Sequence, residues 1–424
     1  MYNLANLHGG DKIFPRFVIE NSLDGYILLK YIKMKKSLFT LLLSACSVVG
    51  FAAQVVRGPY LEDPTQTTLV LRWQTDEATP AWLEYGPAPR CNQIMKISPE
   101  GREHKAVLYG LVPNQNFCYR LYVYNASRDG VQAPVEGSFR TLYSAERKEV
   151  HFVALGNTGG GENPAAKQSL AAQMADKKAD FIVHTGNLTA SGLNADADAE
   201  FFTPYKSALN STPLFVAIGE NEYGPDKQDR ESKAFVRSNY SRYHDMTWSN
   251  ATPKYYSFDT ANARFIFLDA NTAYGAVWAP DFDEKSAQYS WLKTTLAGAG
   301  EKWKIVVINA PLYSTGEKGA ANQIAARLVP LFERYGVNLV LQGNEANYER
   351  TFPILKDQPK ARGVTYLTLG GGGATPTRRA SSDSFTARFV ATYHFADIQI
   401  VDRKMTIKVY TDLGKQIDKF ELYL

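Results

Sequence analysis

Residues 150–159 read Val150-His151-Phe152-Val153-Ala154-Leu155-Gly156-Asn157-Thr158-Gly159, so an apolar run ends directly in a glycine and polar residues. Further apolar runs follow later in the chain: Phe181–Val183, Leu214–Ile218, Phe265–Leu268, Ile305–Ile308 and Leu339–Leu341. Helical stretches such as Ala165–Lys178 and Ala320–Tyr335 separate several of these runs. Continuous apolar strands that alternate with helices are typical of buried sheets in a layered α/β domain. Because ligands of such domains bind beyond the carboxyl ends of the strands, we expect a site in the loops that follow them.

The part of the chain before this domain has a different pattern. Leu69–Trp73, Ala81–Tyr85 and Phe117–Tyr124 read as short strands, and turn residues separate them without any helical period. This pattern predicts a small all-β sandwich of the fibronectin type III kind. We place the sandwich at residues 54–142 and the α/β domain at residues 149–424, with a short linker between them.

The N-terminus carries the signature of an export signal. Met34-Lys35-Lys36 is a basic start, and an apolar run and small residues follow it up to Ala53. We therefore interpret residues 34–53 as a signal peptide and residues 1–33 as an upstream extension assigned in error. A transmembrane anchor is the alternative, but the apolar stretch is short for one, and we expect no membrane span after cleavage. Leu43-Ser44-Ala45-Cys46 also resembles a bacterial lipobox, so a lipid anchor at Cys46 is a second alternative to ordinary cleavage.

Charge and cysteine content narrow the class of protein. The chain has 424 residues and a formal net charge of +4, with no block of basic residues, which argues against nucleic-acid binding. If the signal is removed, Cys91 and Cys118 are the cysteines that remain, an even pair in an oxidising compartment. We predict a disulfide between them, with two buried free thiols as the alternative. The predicted location is secreted, or periplasmic and cell-envelope associated, in a bacterium.

Glycines follow the apolar strands at the predicted site. Gly156, Gly186, Gly219 and Gly343 each come after a strand, and the residue after each of them is polar. Glycine allows a sharp turn and a close approach of the backbone to whatever lies beyond. Such loops, meeting at one rim, predict a polar pocket.

The loops resemble the metal-site motifs of the purple acid phosphatases, which are metallophosphoesterases of the calcineurin-like superfamily. The family pattern is Asp-x-Gly, Gly-Asp-x-x-Tyr, Gly-Asn-His-Glu, Val-x-x-His and Gly-His-x-His. The corresponding segments are Gly156–Gly159, Gly186–Ala190, Gly219–Glu222, Val306–Asn309 and Gly343–Ala346. The resemblance implies a fibronectin type III-like sandwich followed by an α/β layered metallophosphoesterase domain whose sheets are flanked by helices.

The ligand positions of the family are substituted throughout. Family members hold two metals, iron with zinc, manganese or iron, and hydrolyse phosphoric monoesters. In this chain the two aspartate positions carry Asn157 and Asn187, and the tyrosine position carries Ala190. The asparagine position carries Glu220, and the catalytic-histidine position carries Asn221.

The three histidine-ligand positions carry Asn309, Asn344 and Ala346. Iron and zinc prefer anionic oxygen and imidazole nitrogen over amide oxygen, so we expect no metal cofactor. Three uses of the remaining polar groups, which include Glu222 and Glu345, stay open. The groups satisfy one another, or they bind a neutral polar ligand such as a sugar, or the glutamates form a weak Ca²⁺ or Mg²⁺ site.

These observations favour an exported, catalytically inactive homologue of the purple acid phosphatases that acts by binding a polar small molecule, a glycan or an envelope protein. One alternative is an active phosphoric-monoester hydrolase with a divergent metal site, which requires His184, His244 or His394 to meet the glutamates. A structural protein of the cell envelope is the other alternative.

Overall fold

The computed structural model describes residues 53–97, 101–124, 133–192, 194–224 and 254–424. The predicted extension, Cys46, His244 and all of the predicted signal peptide except Ala53 lie outside these ranges. No helix in the described ranges is long and apolar enough to cross a membrane. The domain boundaries at 142 and 149 and the signal peptide remain predictions.

The first part of the described chain consists of strands. These are β1 (Val55–Glu62), β2 (Leu69–Thr75), β3 (Ala81–Pro87), β4 (Gln93–Ile97), β5 (Glu103–Leu108), β6 (Asn116–Val123) and β7 (Val135–Arg140). Strands β1, β2 and β5 pair in one sheet, and β4-β3-β6-β7 form the second. Every second residue of β6 is buried, as a strand with one solvated face requires. Leu71, Trp73, Leu83, Tyr119 and Leu121 fill the space between the sheets. The predicted β-sandwich is confirmed.

The predicted disulfide is present. Cys91 lies after β3 and is bonded to Cys118 of β6, 27 residues further along the chain. The bond ties the loop between β3 and β4 to β6, one of the two inner strands of the four-stranded sheet.

The second part of the chain alternates strands with helices. Its strands are β8 (Glu149–Leu155), β9 (Phe181–His184), β10 (Leu214–Val216), β11 (Tyr256–Thr260), β12 (Ala263–Leu268), β13 (Trp303–Ile308), β14 (Leu339–Gln342), β15 (Tyr348–Thr351), β16 (Ile354–Leu355), β17 (Gln358–Pro359), β18 (Thr365–Leu369), β19 (Thr386–Val390), β20 (His394–Val401), β21 (Lys404–Thr411) and β22 (Gln416–Tyr423). The α-helices are α1 (Pro164–Asp176), α2 (Asn194–Ala197), α3 (Lys206–Leu209), α4 (Ala287–Ala297) and α5 (Asn322–Tyr335). The described residues also form a π-helical turn (Asp198–Phe202) and two 3₁₀ turns (Asn221–Tyr223 and Asn271–Tyr274).

Two large sheets organise this part. One has nine strands in the order β22-β21-β20-β8-β9-β10-β1-β2-β5, and the other has seven in the order β11-β12-β13-β14-β18-β15-β19. Strands β8, β9 and β10 run parallel, as do β12, β13, β14 and β18. The predicted α/β layered domain is therefore confirmed, with mixed rather than purely parallel sheets.

An aromatic core joins the two sheets. Phe181 packs edge-on against Phe215, Phe258 and Phe265, with ring centroids 5.2–5.6 Å apart. Phe152 of β8 stacks on Phe181 at 5.5 Å. Each fully buried phenylalanine contributes about 1.5–3 kcal/mol through burial alone. This core fixes the two sheets face to face and leaves their outer faces to the helices.

Local sequence signals set the start of helix α1 and the end of helix α5. Asn163 caps α1 by accepting a hydrogen bond from the Ala166 amide, and Pro164 occupies the first turn, where its missing N–H costs nothing. Helix α5 ends at Gly336, which adopts a left-handed conformation with φ 65°. Its buried face, which includes Leu328 and Phe332, covers the seven-stranded sheet.

The sandwich and the α/β part share a sheet. Strand β1 pairs with β10 in parallel, with Glu62 opposite Leu214, so the sandwich strands extend the nine-stranded sheet. Residues Ala52–Leu424 accordingly form one compact unit. Parallel pairing aligns the carboxyl ends of β8, β9 and β10 at one edge, and those of β13 and β14 at one edge of the other sheet.

Candidate functional site

The loops after β8, β9 and β14 meet through three asparagine side chains. The Asn344 amide nitrogen donates to Asn157 Oδ1 at 3.2 Å, and Asn187 Nδ2 donates to Asn344 Oδ1 at 3.0 Å. All three residues are buried. The structure thus brings together the positions that carry two aspartates and a histidine in the family pattern.

The same three asparagines have an unusual backbone conformation. Their φ angles are 54° at Asn157, 61° at Asn187 and 62° at Asn344. Left-handed backbone is costly for most residues, and asparagine tolerates it best after glycine. The loops therefore keep a strained shape that presents these side chains to a common point, and asparagine stabilises that shape without supplying a metal ligand.

A close backbone approach explains one of the predicted glycines. A Cβ atom on Gly156 would lie 1.9 Å from Thr185 Oγ1, so only glycine fits at the end of β8. This contact brings the loop after β8 against the loop after β9.

Asn309 and Asn221 are bonded to neighbouring loops. Asn309 Oδ1 accepts a hydrogen bond from the Glu220 amide at 3.1 Å, and its Nδ2 donates to the Thr185 carbonyl at 2.8 Å. Asn221 donates its side-chain amide to the Thr189 carbonyl at 2.9 Å. Both side chains therefore hold loops together.

Glu222 acts as a clamp for two loops. Its Oε2 accepts from the amides of Gly219 at 2.7 Å and Asn187 at 2.9 Å, and its Oε1 accepts from Leu188 at 2.7 Å. Three backbone donors compensate the burial of this carboxylate, so both of its oxygens are already engaged.

Lys318 brings a positive charge to the place where the asparagines meet. Its Nζ donates to Asn344 Oδ1 at 2.6 Å and lies 3.5 Å from Glu220 Oε2. Glu220 Oε2 also accepts from Asn344 Nδ2 at 3.0 Å. Burial raises the pKa of the Tyr274 hydroxyl, which also hydrogen-bonds Asn344. Lys318 and Tyr274 belong to no recognisable motif, and the sequence analysis missed both.

The Glu345 side chain bonds to the segment 314–319 and not to the three asparagines. It is completely buried, and its Oε1 accepts from the Gly319 amide at 2.8 Å and from Ser314 Oγ at 3.4 Å. Its Oε2 accepts no hydrogen bond from the described part of the chain. Burial raises the pKa of Glu345 above its usual value.

The two alanines at ligand positions supply no side-chain donor. Ala190 is exposed, and its backbone amide donates to Glu200 Oε2 at 2.6 Å. Glu200 also accepts from Gly160 at 3.1 Å, so it links the first two loops, a role that the sequence did not reveal. Ala346 is buried, and its carbonyl accepts from the Thr377 amide at 2.9 Å.

His184 and His394, which a divergent metal site would require, have other partners. His184 is fully buried, its Nδ1 accepts from the Gly186 amide at 3.0 Å, and its Nε2 lies 3.1 Å from Thr158 Oγ1. His394 is also fully buried, and burial lowers its pKa to about 4. Neither forms a group of three or more potential His, Cys, Asp or Glu ligands with other described residues.

The donor set does not fit the dinuclear centre of the family. A pair of multivalent cations requires an anionic bridging oxygen, and Asn157 and Asn187 supply only neutral amides whose atoms bond to neighbouring loops. Imidazole nitrogen is replaced by the amides of Asn309 and Asn344. The Lys318 ammonium adds a positive charge at the same point and repels a cation there.

Comparisons with known proteins agree with the fold and with the predicted resemblance. Residues 150–347 match the family of calcineurin-like phosphoesterases. Purple acid phosphatase 22 of Arabidopsis thaliana is 26% identical over 280 residues, which cover 64% of this chain and 59% of the relative. The match thus spans less than two thirds of that relative. Tartrate-resistant acid phosphatase type 5 of Mus musculus is 26% identical over 66% of this chain and 92% of its own length.

A solved structure shares the architecture. The purple acid phosphatase PPD1 from yellow lupin (Lupinus luteus) seeds superimposes with a TM-score of 0.70 at 17% identity, over 88% of this chain and 75% of the other. At this identity the likeness concerns the fold.

Proposed function

We propose that this purple acid phosphatase-like chain, with its calcineurin-like phosphoesterase domain, is an exported homologue that does not hydrolyse phosphoesters and acts by binding. The observation that carries the proposal is the cluster of Asn157, Asn187 and Asn344 with Lys318. Three of the positions that hold metal in the family are bonded to one another there, and an ammonium group lies among them.

Hydrolysis of a phosphoester by this family needs a bound metal ion and a titratable side chain, and the asparagines at these positions supply neither. Metallophosphoesterases generate hydroxide on a metal ion at neutral pH and use the metal as a Lewis acid on the phosphoryl oxygen. Proton transfer to a leaving group requires a titratable side chain. Asn221, at the family's catalytic-histidine position, cannot titrate, and its amide is bonded to the Thr189 carbonyl.

The rival proposal of a divergent active site has less support. It needs imidazole close to the glutamates, but His184 is bonded to Gly186 and Thr158, and His394 donates to the Thr392 carbonyl. His244 lies outside the described residues. A purely structural role in the cell envelope is the other rival, and it predicts that no small ligand binds.

Export and partner class rest on separate observations. The signal-like segment 34–53 and the Cys91–Cys118 disulfide both favour an oxidising compartment outside the cytoplasm. The proposed partners are a polar small molecule, a glycan or an envelope protein. A lipid anchor at Cys46 would fix the chain to the envelope, whereas cleavage near Ala53 would release it.

Metal content and hydrolysis test the proposal together. The purified chain is exposed to iron, zinc and manganese, dialysed, and assayed by mass spectrometry and with p-nitrophenyl phosphate. We expect less than about a tenth of a metal equivalent and no turnover, because loss of even an outer-shell partner weakens metal binding by about 10–100-fold. One or two equivalents that survive dialysis, together with turnover, would establish the divergent hydrolase instead.

A further inference from the structure

A large cleft lies next to the segment of chain that carries Lys318. Its volume is about 850 Å³, and its walls come from helix α5, the two ends of the segment 312–320, the turn between β16 and β17, and residues 383 and 385. The same segment sends Lys318 into the asparagine cluster, so the cleft and the cluster lie on one stretch of chain. The volume is within the range of small-molecule sites, about 300–1,000 Å³.

One wall of the cleft is aromatic. Tyr313 packs against Phe385 at 5.3 Å and against Tyr366 at 4.7 Å. The rings of Tyr313 and Phe385 both line the cleft, and aromatic faces attract cations.

The rim of the cleft is acidic. Glu333, Asp357 and Asp383 line it together with Lys356, so three negative charges face one positive charge. Glu333 Oε1 accepts from the Lys356 amide at 2.7 Å, and Asp357 Oδ1 accepts from the Tyr313 hydroxyl at 2.5 Å. The second oxygen of each of these two carboxylates accepts no hydrogen bond from the described residues. Such a rim repels phosphate and offers acceptors to a cation.

The turn that carries Asp357 is fixed in shape. Lys356 and Asp357 join β16 to β17 with φ angles of 55° and 57°. Two successive left-handed residues make the tight hairpin turn that usually contains glycine or asparagine. The aspartate is therefore held at the rim by its backbone.

We propose that this cleft binds a small organic cation with two or more amino groups, such as an aliphatic polyamine. The ammonium groups would donate to Glu333, Asp357 and Asp383, and the ligand would lie against the faces of Tyr313 and Phe385, where aromatic rings attract cations. The site lies outside the former metal positions, so the proposal stands whether or not the chain hydrolyses phosphoesters.

Calorimetric titration of the purified full chain with spermidine, at low ionic strength, tests this site. We expect one-site binding with a Kd below about 1 mM, and no binding of inorganic phosphate under the same conditions. Asp357→Asn should raise the Kd by about tenfold, because it removes a charge-assisted hydrogen bond. Asparagine suits the left-handed turn, so this variant keeps the hairpin.

Asp402→Asn is the matched control. Asp402 has a φ of 51° in the turn between β20 and β21, which is not part of the cleft. The same substitution there should leave spermidine binding unchanged. Absence of spermidine binding by the wild-type chain, or an equal Kd for the Asp357→Asn variant, would overturn the proposal. The metal and turnover assays report on the former metal site independently of these titrations.

Discussion

Replacing Lys318 with methionine removes the ammonium group from the cluster of Asn157, Asn187 and Asn344 while keeping most of the side-chain volume. Two contacts are lost, the 2.6 Å hydrogen bond to Asn344 Oδ1 and the 3.5 Å ion pair with Glu220. The Lys318 side chain is 52% exposed, so solvent screens the ion pair, which contributes about 0.5 kcal/mol. Loss of the hydrogen bond from Lys318 to Asn344 Oδ1 costs only about 1 kcal/mol, because this oxygen keeps its second donor, Asn187 Nδ2.

We therefore expect the free energy of unfolding to fall by about 1–2 kcal/mol, measured by urea denaturation of the wild type and the variant. A double-mutant cycle with Glu220→Gln should give a coupling energy of about 0.5 kcal/mol. Lys285→Met is the control, since Lys285 is exposed and forms no ion pair with other described residues. Equal stability of the Lys318→Met variant and the wild type would refute the idea that this ammonium stabilises the cluster in place of metal.

Two further predictions concern stability. Burial lowers the pKa of His394 from 6.5 to about 4. As the pH falls from about 6.5 towards 4, this histidine therefore becomes protonated in the unfolded chain but not in the folded chain, and the free energy of unfolding decreases. Denaturation at several pH values should show that His394→Asn removes about 3 kcal/mol of this pH dependence; equal pH dependence of the two proteins would contradict it. The Cys91→Ser and Cys118→Ser double variant should lose about 3 kcal/mol of unfolding free energy, because the disulfide closes a loop with a separation of 27 residues. Reduction of the wild type should reproduce this loss in thermal or chemical unfolding, and an unchanged midpoint would count against it.

The strands and the site loops could be predicted because each depends on local sequence. Apolar runs such as Val150–Leu155 and Ile305–Ile308 correspond to β8 and β13, because a strand that is buried on both faces consists almost entirely of apolar residues. The strand predicted at Leu214–Ile218 is too long by two residues, because β10 ends at Val216 and the next two residues belong to the loop. The closeness of Asn157 and Asn187 follows from strand order, because they come after the neighbouring strands β8 and β9. Asn344 follows β14 of the other sheet, and strand order alone does not bring it to them.

Other features of the site depend on tertiary structure and leave no local signal. Lys318 reaches Asn344 only because the segment after β13 folds back over the loop after β14. Glu200 joins the first two loops from a π-helical turn that has no motif. The left-handed conformation of the three asparagines could not be predicted from the sequence either, because asparagine is also common in ordinary turns.

The pairing of β1 with β10 limits how this protein can be rearranged by recombination or truncation. A chain that lost the sandwich would expose the edge of β10, and unpaired strand edges promote aggregation. The partner edge of β1 would be uncovered in an isolated sandwich for the same reason. The two parts therefore have to be inherited as a single piece, even though one resembles a module that other proteins exchange freely.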